Sequence, residues 1–266
     1  MSVDALRALH TAAAAAHTAG RLLLRGFMST DKGVRAKSHR HDPVTIYDRE
    51  ADEAILCAIA AKFPDHAILS EEAGQSGDAA APTWIIDPLD GTNNFLRGIP
   101  HFAVSIALRA DGDTLAACVH DPIRDETFTA TRDGGAHLNG LPIKVSSQCA
   151  LDGVAVAVGF SHRPERRART IGQLPGLIED ARALRAFGCA ALDLAYVAAG
   201  RFDVAWYLAL SEWDIAAGAL IIREAGGLLT DLRGESLVDP ASGLIASNAC
   251  VHGAFLRAIG TGEPNA

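Results

Sequence analysis

No stretch of this 266-residue chain approaches the roughly 18–20 consecutive apolar residues that cross a bilayer. The nearest candidate, Leu22-Leu23-Leu24, is bracketed by Arg21 and Arg25. It lacks the charged start, apolar run and small-residue cleavage site of a signal peptide, so a soluble, cytoplasmic protein is expected. No CxxC pair is present either. Cys57, Cys118, Cys149, Cys189 and Cys250 are odd in number and scattered, which predicts reduced thiols and excludes a zinc site or a disulfide framework. Positive charge is in deficit: 24 Lys and Arg stand against 32 Asp and Glu, for a net charge of −8. That balance argues against nucleic acid or an anionic membrane as the main partner. An anionic substrate would need local help from metal ions or backbone amides.

What the chain does contain is an ordinary globular composition, 49% hydrophobic, with no internal repeat, low-complexity tract or linker. Residues 4–28 read as an Ala- and Leu-rich helix, followed by a polar, basic loop. His39 and His41 fall near that loop and read as solvated side chains or, alternatively, as a metal pair. Thr45 can cap a second helix, with Asp48 three residues on and Ile55, Ile59 and Phe63 on its apolar side. Residues 67–70 and 84–87 read as short buried strands, 73–82 as an exposed loop, and 102–108, 115–119 and 127–131 as antiparallel strands. Beyond residue 150 strands and helices alternate: strands at 154–158 and 184–187, helices at 163–174, at 189–199 and from Trp213 to Gly226. The pattern predicts an α+β or α/β sandwich of two packed layered halves, 1–147 and 148–266.

The acids carry the chemistry. In Trp84-Ile85-Ile86-Asp87-Pro88-Leu89-Asp90-Gly91-Thr92 a buried strand delivers Asp87 at its carboxyl end, where open α/β sheets bind ligands. Asp90 follows three residues later, across a turn that can aim both carboxylates at one centre. Asp, Pro and Gly are also the commonest turn formers, so the segment alone equally describes a turn. Glu71 sits just past a strand and reads as a surface acid or a second site carboxylate. Asp214 in Ser211-Glu212-Trp213-Asp214 completes a capping box, a role compatible with a ligand at a helix start. Four carboxylates at element ends suit hard, oxygen-preferring cations such as Mg²⁺. An EF-hand loop is absent, which disfavours a plain calcium module.

Two long motifs, Asp87-Pro-Leu-Asp-Gly-Thr92 with Asn94-Phe95, and Trp213-Asp214-Ile-Ala-Ala-Gly218 with Glu224-Ala-Gly-Gly227, resemble the signatures of the inositol monophosphatase family. Ser70-Glu71-Glu72, Val44-Thr-x-x-Asp48 and Gly188-Cys-Ala-Ala191 extend the resemblance across most of the chain. The resemblance implies a layered αβαβα fold, a homodimer, lithium sensitivity, and two to three Mg²⁺ per site. Glu71, Asp87 and the Leu89 carbonyl would hold the first metal and Asp87, Asp90 and Asp214 the second, with Glu71 facing a third through water. Thr92 and Asp48 would orient the attacking water, and the Gly91 and Thr92 amides would receive the phosphate. Lys37 matches a basic position near the site, or is a loop lysine. Direct attack by water is implied, with no phospho-enzyme.

For the substrate, Asn93-Asn94-Phe95 resembles the inositol-phosphatase branch rather than the nucleotidase branch. Gly188, Cys189 and Ala190 match positions whose backbone meets substrate hydroxyls, and Asp90 can accept from the same ring. The position of a substrate-contacting Glu in relatives is Tyr207 here; Glu212 can approach the substrate instead, or be a solvated loop acid. Inositol 1-phosphate is the leading expectation, with histidinol phosphate or a broad sugar-phosphate or bisphosphate range as the alternative. A non-catalytic regulatory dimer that keeps the fold is the reading of a different class, although every motif position is filled.

Overall fold

The computed structural model describes residues 4–36, 43–161, 163–179 and 181–260. Lys37, His39 and His41 lie outside them. In chain order the N-terminal elements are α1 (Ala5–Phe27), β1 (Arg35–Ala36), β2 (Pro43–Val44), α2 (Ile46–Ala60), β3 (Ala67–Ser70), β4 (Gly74–Ser76), β5 (Thr83–Asp90) and α3 (Thr92–Arg97). There follow β6 (Ala103–Ala110), β7 (Asp113–Asp121), β8 (Glu126–Thr131), β9 (Ala136–Leu138) and β10 (Leu141–Pro142). The rest comprises β11 (Ala155–Val158), α4 (Pro164–Gln173), α5 (Pro175–Ile178), β12 (Ala183–Arg185), α6 (Ala190–Ala198), β13 (Val204–Tyr207), α7 (Glu212–Glu224), β14 (Leu228–Thr230), β15 (Leu244–Ser247) and α8 (His252–Ile259).

Strands β3–β10 form one eight-stranded sheet, in the order β10-β9-β8-β7-β6-β5-β3-β4, and only its β3–β5 pair is parallel. β11–β15 form a five-stranded sheet, in the order β12-β11-β13-β15-β14, parallel on one side and antiparallel on the other. Helices α1 and α2 cover the outer face of the large sheet, where Ala8, Ala12, Ala15, Ala16, Ala19 and Leu23 pack on Trp84, Ile86 and Ile106. The alanines let α1 approach the sheet closely. α6 and α7 fill the space between the two sheets, burying Leu192, Leu194, Leu220 and Ile221 with Ile85, Ala117 and Ala205. α5 and α8 close the far side of the small sheet through Leu177, Phe255 and Ile259 against Val156 and Trp206. Three cores therefore separate five layers, αβαβα, as expected from the resemblance.

Three expectations fail. The polar, basic stretch after α1 is not all loop: Arg35–Ala36 pairs with Pro43–Val44. Residues 73–82 are not all loop: Gly74–Ser76 pairs with β3 as an edge strand. Its residues are all exposed, so no apolar alternation announced it. Nor are all five cysteines reduced: Cys149 and Cys250 are joined by a disulfide, while Cys57, Cys118 and Cys189 are free. The turn after β15 returns beside the crossover between the sheets, where the Asn248 amide donates to Ser146 Oγ at 2.8 Å and to the Gln148 carbonyl at 2.6 Å. That closure leaves the two cysteine Cα atoms 4.9 Å apart, although 101 positions separate them in the chain.

Candidate active site

β3 and β5 run parallel, with Ser70 opposite Ile86, so Glu71 and Asp87 emerge side by side at their carboxyl ends. The Glu71 amide continues the ladder to the Ile86 carbonyl at 3.1 Å. β5 then carries a bulge: Asp87 pairs with Ser105 and Asp90 with Ala103, three steps on one strand against two on its neighbour. In a regular strand residues three apart face opposite sides; the extra residue returns Asp90 to the side of Asp87. Pro88 sits within the bulge, where no ladder donor is required. The Leu89 amide donates to Asp87 Oδ1 at 3.0 Å and fixes that carboxylate.

Gly91 caps the short helix α3 with φ +91°, and a Cβ there would lie 3.0 Å from the His101 carbonyl oxygen. Glycine is therefore required twice over, by conformation and by space. The Thr92 hydroxyl lies 3.0 Å from the Leu89 carbonyl and 3.3 Å from Asp48 Oδ1. Asp48 is held by the predicted capping box, accepting the Thr45 amide on Oδ2 at 2.8 Å. The Thr92–Asp48 pair is thus formed, with Asp48 buried behind Thr92 and not on the cavity wall.

The second half supplies the rest. Ser211 and Asp214 form the predicted capping box of α7, the Ser211 amide donating to Asp214 Oδ2 at 2.7 Å. Helix α6 has no side-chain cap of its own; Asp90 serves it from across the molecule, accepting the Ala191 amide at 2.6 Å. The Cys189 thiol and the Gly91 amide also donate to Asp90. Asn94 ties the halves together in the opposite sense, donating to the Phe187 carbonyl at 2.7 Å.

Glu71, Asp87, Leu89, Asp90, Gly91, Thr92, Gly188, Ala190, Tyr207 and Asp214 all line one cavity of about 530 Å³. Burial, then the charges of Glu71, Asp90 and Asp214, push the Asp87 carboxyl well above its usual range. Burial raises Asp90 to about 6 although the Ala191 amide pulls the other way. Among the described residues no group of three or more His, Cys, Asp or Glu side chains is arranged to hold a metal ion as it stands. Four mutually repelling carboxylates and a carbonyl, all oxygen donors on one wall, nevertheless match the chemistry of a hard dication and carry the charge it would neutralise.

Two expected substrate contacts are placed elsewhere. Glu212 lies off the cavity wall and is ion-paired with Arg109 of β6. Cys189, expected to act through its backbone, is fully buried and is not on the cavity wall, unlike its neighbours Gly188 and Ala190; its thiol donates to Asp90. Tyr207 does line the cavity, but its hydroxyl donates to Asp193 of α6. Burial raises Asp193 to about 8, and its Oδ1 has no hydrogen-bond partner among the described residues. An acid inside the apolar run Ala190–Ala198 was the available signal for this pair. The same cavity is also lined by Phe160, Ser161, Arg163 and Arg166, which the sequence announced only as the start of a generic helix.

The whole arrangement coincides with a known one: the model of the inositol monophosphatase family matches residues 5–261. The chain belongs to this family. Its activity class is therefore that of the phosphoric monoester hydrolases. The chain is 42% identical over 257 residues to the Nus factor SuhB of Pseudomonas aeruginosa, covering 94% of this chain and 95% of that one. Among solved structures, the extragenic suppressor protein suhB of Bartonella henselae superposes with TM-score 0.92 at 38% identity, over 96% of this chain and 99% of that one. The inositol monophosphatase of Anabaena superposes with TM-score 0.85 at 33% identity, over 96% and 95% of the two chains. The five-layer inositol monophosphatase fold is therefore that of this chain.

Proposed function

We propose that the protein hydrolyses a small phosphate monoester with Mg²⁺ as cofactor, by direct attack of water. The observation that carries this reading is the convergence of Glu71, Asp87, Asp90 and Asp214 with Thr92 on one cavity wall. Glu71, Asp87, the Leu89 carbonyl, Asp90 and Asp214 would hold two to three ions. When bound, such ions neutralise phosphoryl oxygens and lower the pKa of water. Phosphate monoester hydrolysis needs that help, since accelerations up to about 10²¹-fold separate it from the uncatalysed reaction.

The chain's own groups then position the reactants. The Thr92 hydroxyl has both Asp48 and the Leu89 carbonyl within reach of its one hydrogen, which leaves its lone pairs to accept from a water and turn that water's own lone pair toward phosphorus. The first-turn amides of α3 lack intrahelical partners and suit phosphate oxygens, with the Gly91 amide shared with Asp90. Gly188 and Ala190 present backbone to the rest of the substrate. Inositol 1-phosphate fits this wall, with a homodimer and a cytoplasmic setting as the accompanying expectations. Phosphate release should require Mg²⁺ and stop in EDTA; turnover that survives complete chelation overturns the metal assignment.

A second reading rests on the relatives named Nus factor SuhB, 42% identical in both P. aeruginosa and Escherichia coli. A chain this similar can act as a protein component of a transcription complex, with or without its catalytic activity. Retention of RNA polymerase-associated factors from the native host by an inactive Asp87→Asn protein supports that role, and their absence from both wild type and variant removes it.

A further inference from the structure

The cavity holds charge of both signs. Besides the four acids, the segment leading into α4 lines it with Arg163 and Arg166, together with the exposed Phe160. Among the described residues neither guanidinium meets a carboxylate at ion-pair distance, whereas Arg109, Arg124, Arg132, Arg201 and Arg233 each do. Nor does helix stability explain their placement. Arg163 is the N-cap and Arg166 lies in the first turn of α4, where positive charge opposes the helix dipole. A local rule broken at a cavity wall is what a binding role produces.

The distribution of charge also says what these groups are not for. The scissile phosphate belongs at the acid wall with the α3 amides and cations. Two guanidinium groups in the same cavity, neither of them ion-paired among the described residues, are surplus to that task, and each presents a planar fork of donors that matches phosphate or carboxylate oxygens. We propose that Arg163 and Arg166 form a second anion subsite, and that the preferred substrate carries a second phosphate or carboxylate in addition to the scissile ester. This rests on the phosphatase reading above and narrows its substrate class. A cationic substrate such as histidinol phosphate is disfavoured by the same two charges, and a neutral polyol ring such as inositol leaves them unmatched.

The test pairs substrates that differ only in the second anion: fructose 1,6-bisphosphate against fructose 1-phosphate, both with Mg²⁺, on the wild-type protein and on Arg163→Gln/Arg166→Gln. The wild type should favour the bisphosphate. The double variant should raise KM for the bisphosphate roughly ten- to a hundredfold, as expected for lost hydrogen bonds to a charged group, with kcat and the monophosphate KM nearly unchanged. Equal KM changes for both substrates, or none, overturn the subsite. Calorimetric binding of the same two sugars to Asp87→Asn separates the two readings. A bisphosphate preference that vanishes in Asp87→Asn/Arg163→Gln/Arg166→Gln sustains the subsite even if no substrate is turned over. Equal binding of both sugars by Asp87→Asn refutes it whether or not phosphate is released.

Discussion

The two walls of the cavity are built in opposite ways. Among the acids, three carboxylates are fixed by backbone: Asp87 by the Leu89 amide, Asp90 by the Ala191 amide, Asp214 by the Ser211 amide. These bonds arise from a bulge, a helix start supplied from the other half, and a capping box, all at the ends of regular elements. The adaptable wall, the rest of the lining, comes from a loop and one helix turn, with the Tyr207 hydroxyl donating to Asp193. Fixed geometry sits where charge must be placed to within fractions of an ångström. Adaptable geometry sits where the substrate varies. Relatives can therefore share one chemistry while differing in what they act on.

Breaking the rigid wall should have the largest effect. Asp87→Asn and Asp214→Asn are each expected to lower kcat by about 10³-fold or more, equivalent to roughly 4 kcal/mol, while circular dichroism stays native. An Asp214→Asn enzyme of comparable activity would show that the acid serves only as a cap. Gly91→Ala should destabilise by about 1–2 kcal/mol from the left-handed backbone alone, before any clash with His101, and urea unfolding with an unchanged slope would read it.

The carboxyls predict a pH dependence. Asp90 and Asp193 keep their protons to about 6 and about 8 when folded, above their unfolded values, so the unfolded state binds fewer protons across that window. Their contribution to the stability of the metal-free protein should therefore fall as pH rises from about 4 to 8, by at most about 1.4 kcal/mol per unit for each group in its own window, while His101 and His120, lowered to about 4 by burial, contribute the opposite slope between about 4 and 6.5. Asp193→Asn should flatten the part of that slope between about 6 and 8; a slope identical to wild type would place the proton elsewhere. The smallest effect is expected at Glu212→Gln. Its pair with Arg109 is about a third exposed on each side, so the loss should stay under about 1 kcal/mol, and KM should not move.

The rigid wall was also the legible one. Thr45 with Asp48, the strand into Asp87, and Ser211 with Asp214 are local patterns whose structural meaning lies within a few residues, and all three formed as expected. The adaptable wall was not legible, because its partners come from distant parts of the chain. Tyr207 meets Asp193 only after β13 and α6 pack together, and Arg163 reaches the cavity only once β11 is placed in the small sheet. Nothing in the spacing of Glu212 announced Arg109. The final strands and α8 went unread because β14 and β15 are short and their pairing is set by neighbours, not by alternation.

The disulfide between Cys149 and Cys250 encircles nearly the whole second half of the chain. Both Arg163 and Tyr207 lie within that covalent ring, as does Asp214. A protease that cuts the exposed segment before α4 would open the ring without releasing either piece. The nicked protein would migrate as two bands only after reduction, and the segment that carries Arg163 would be severed while remaining tethered to the acids of the same cavity.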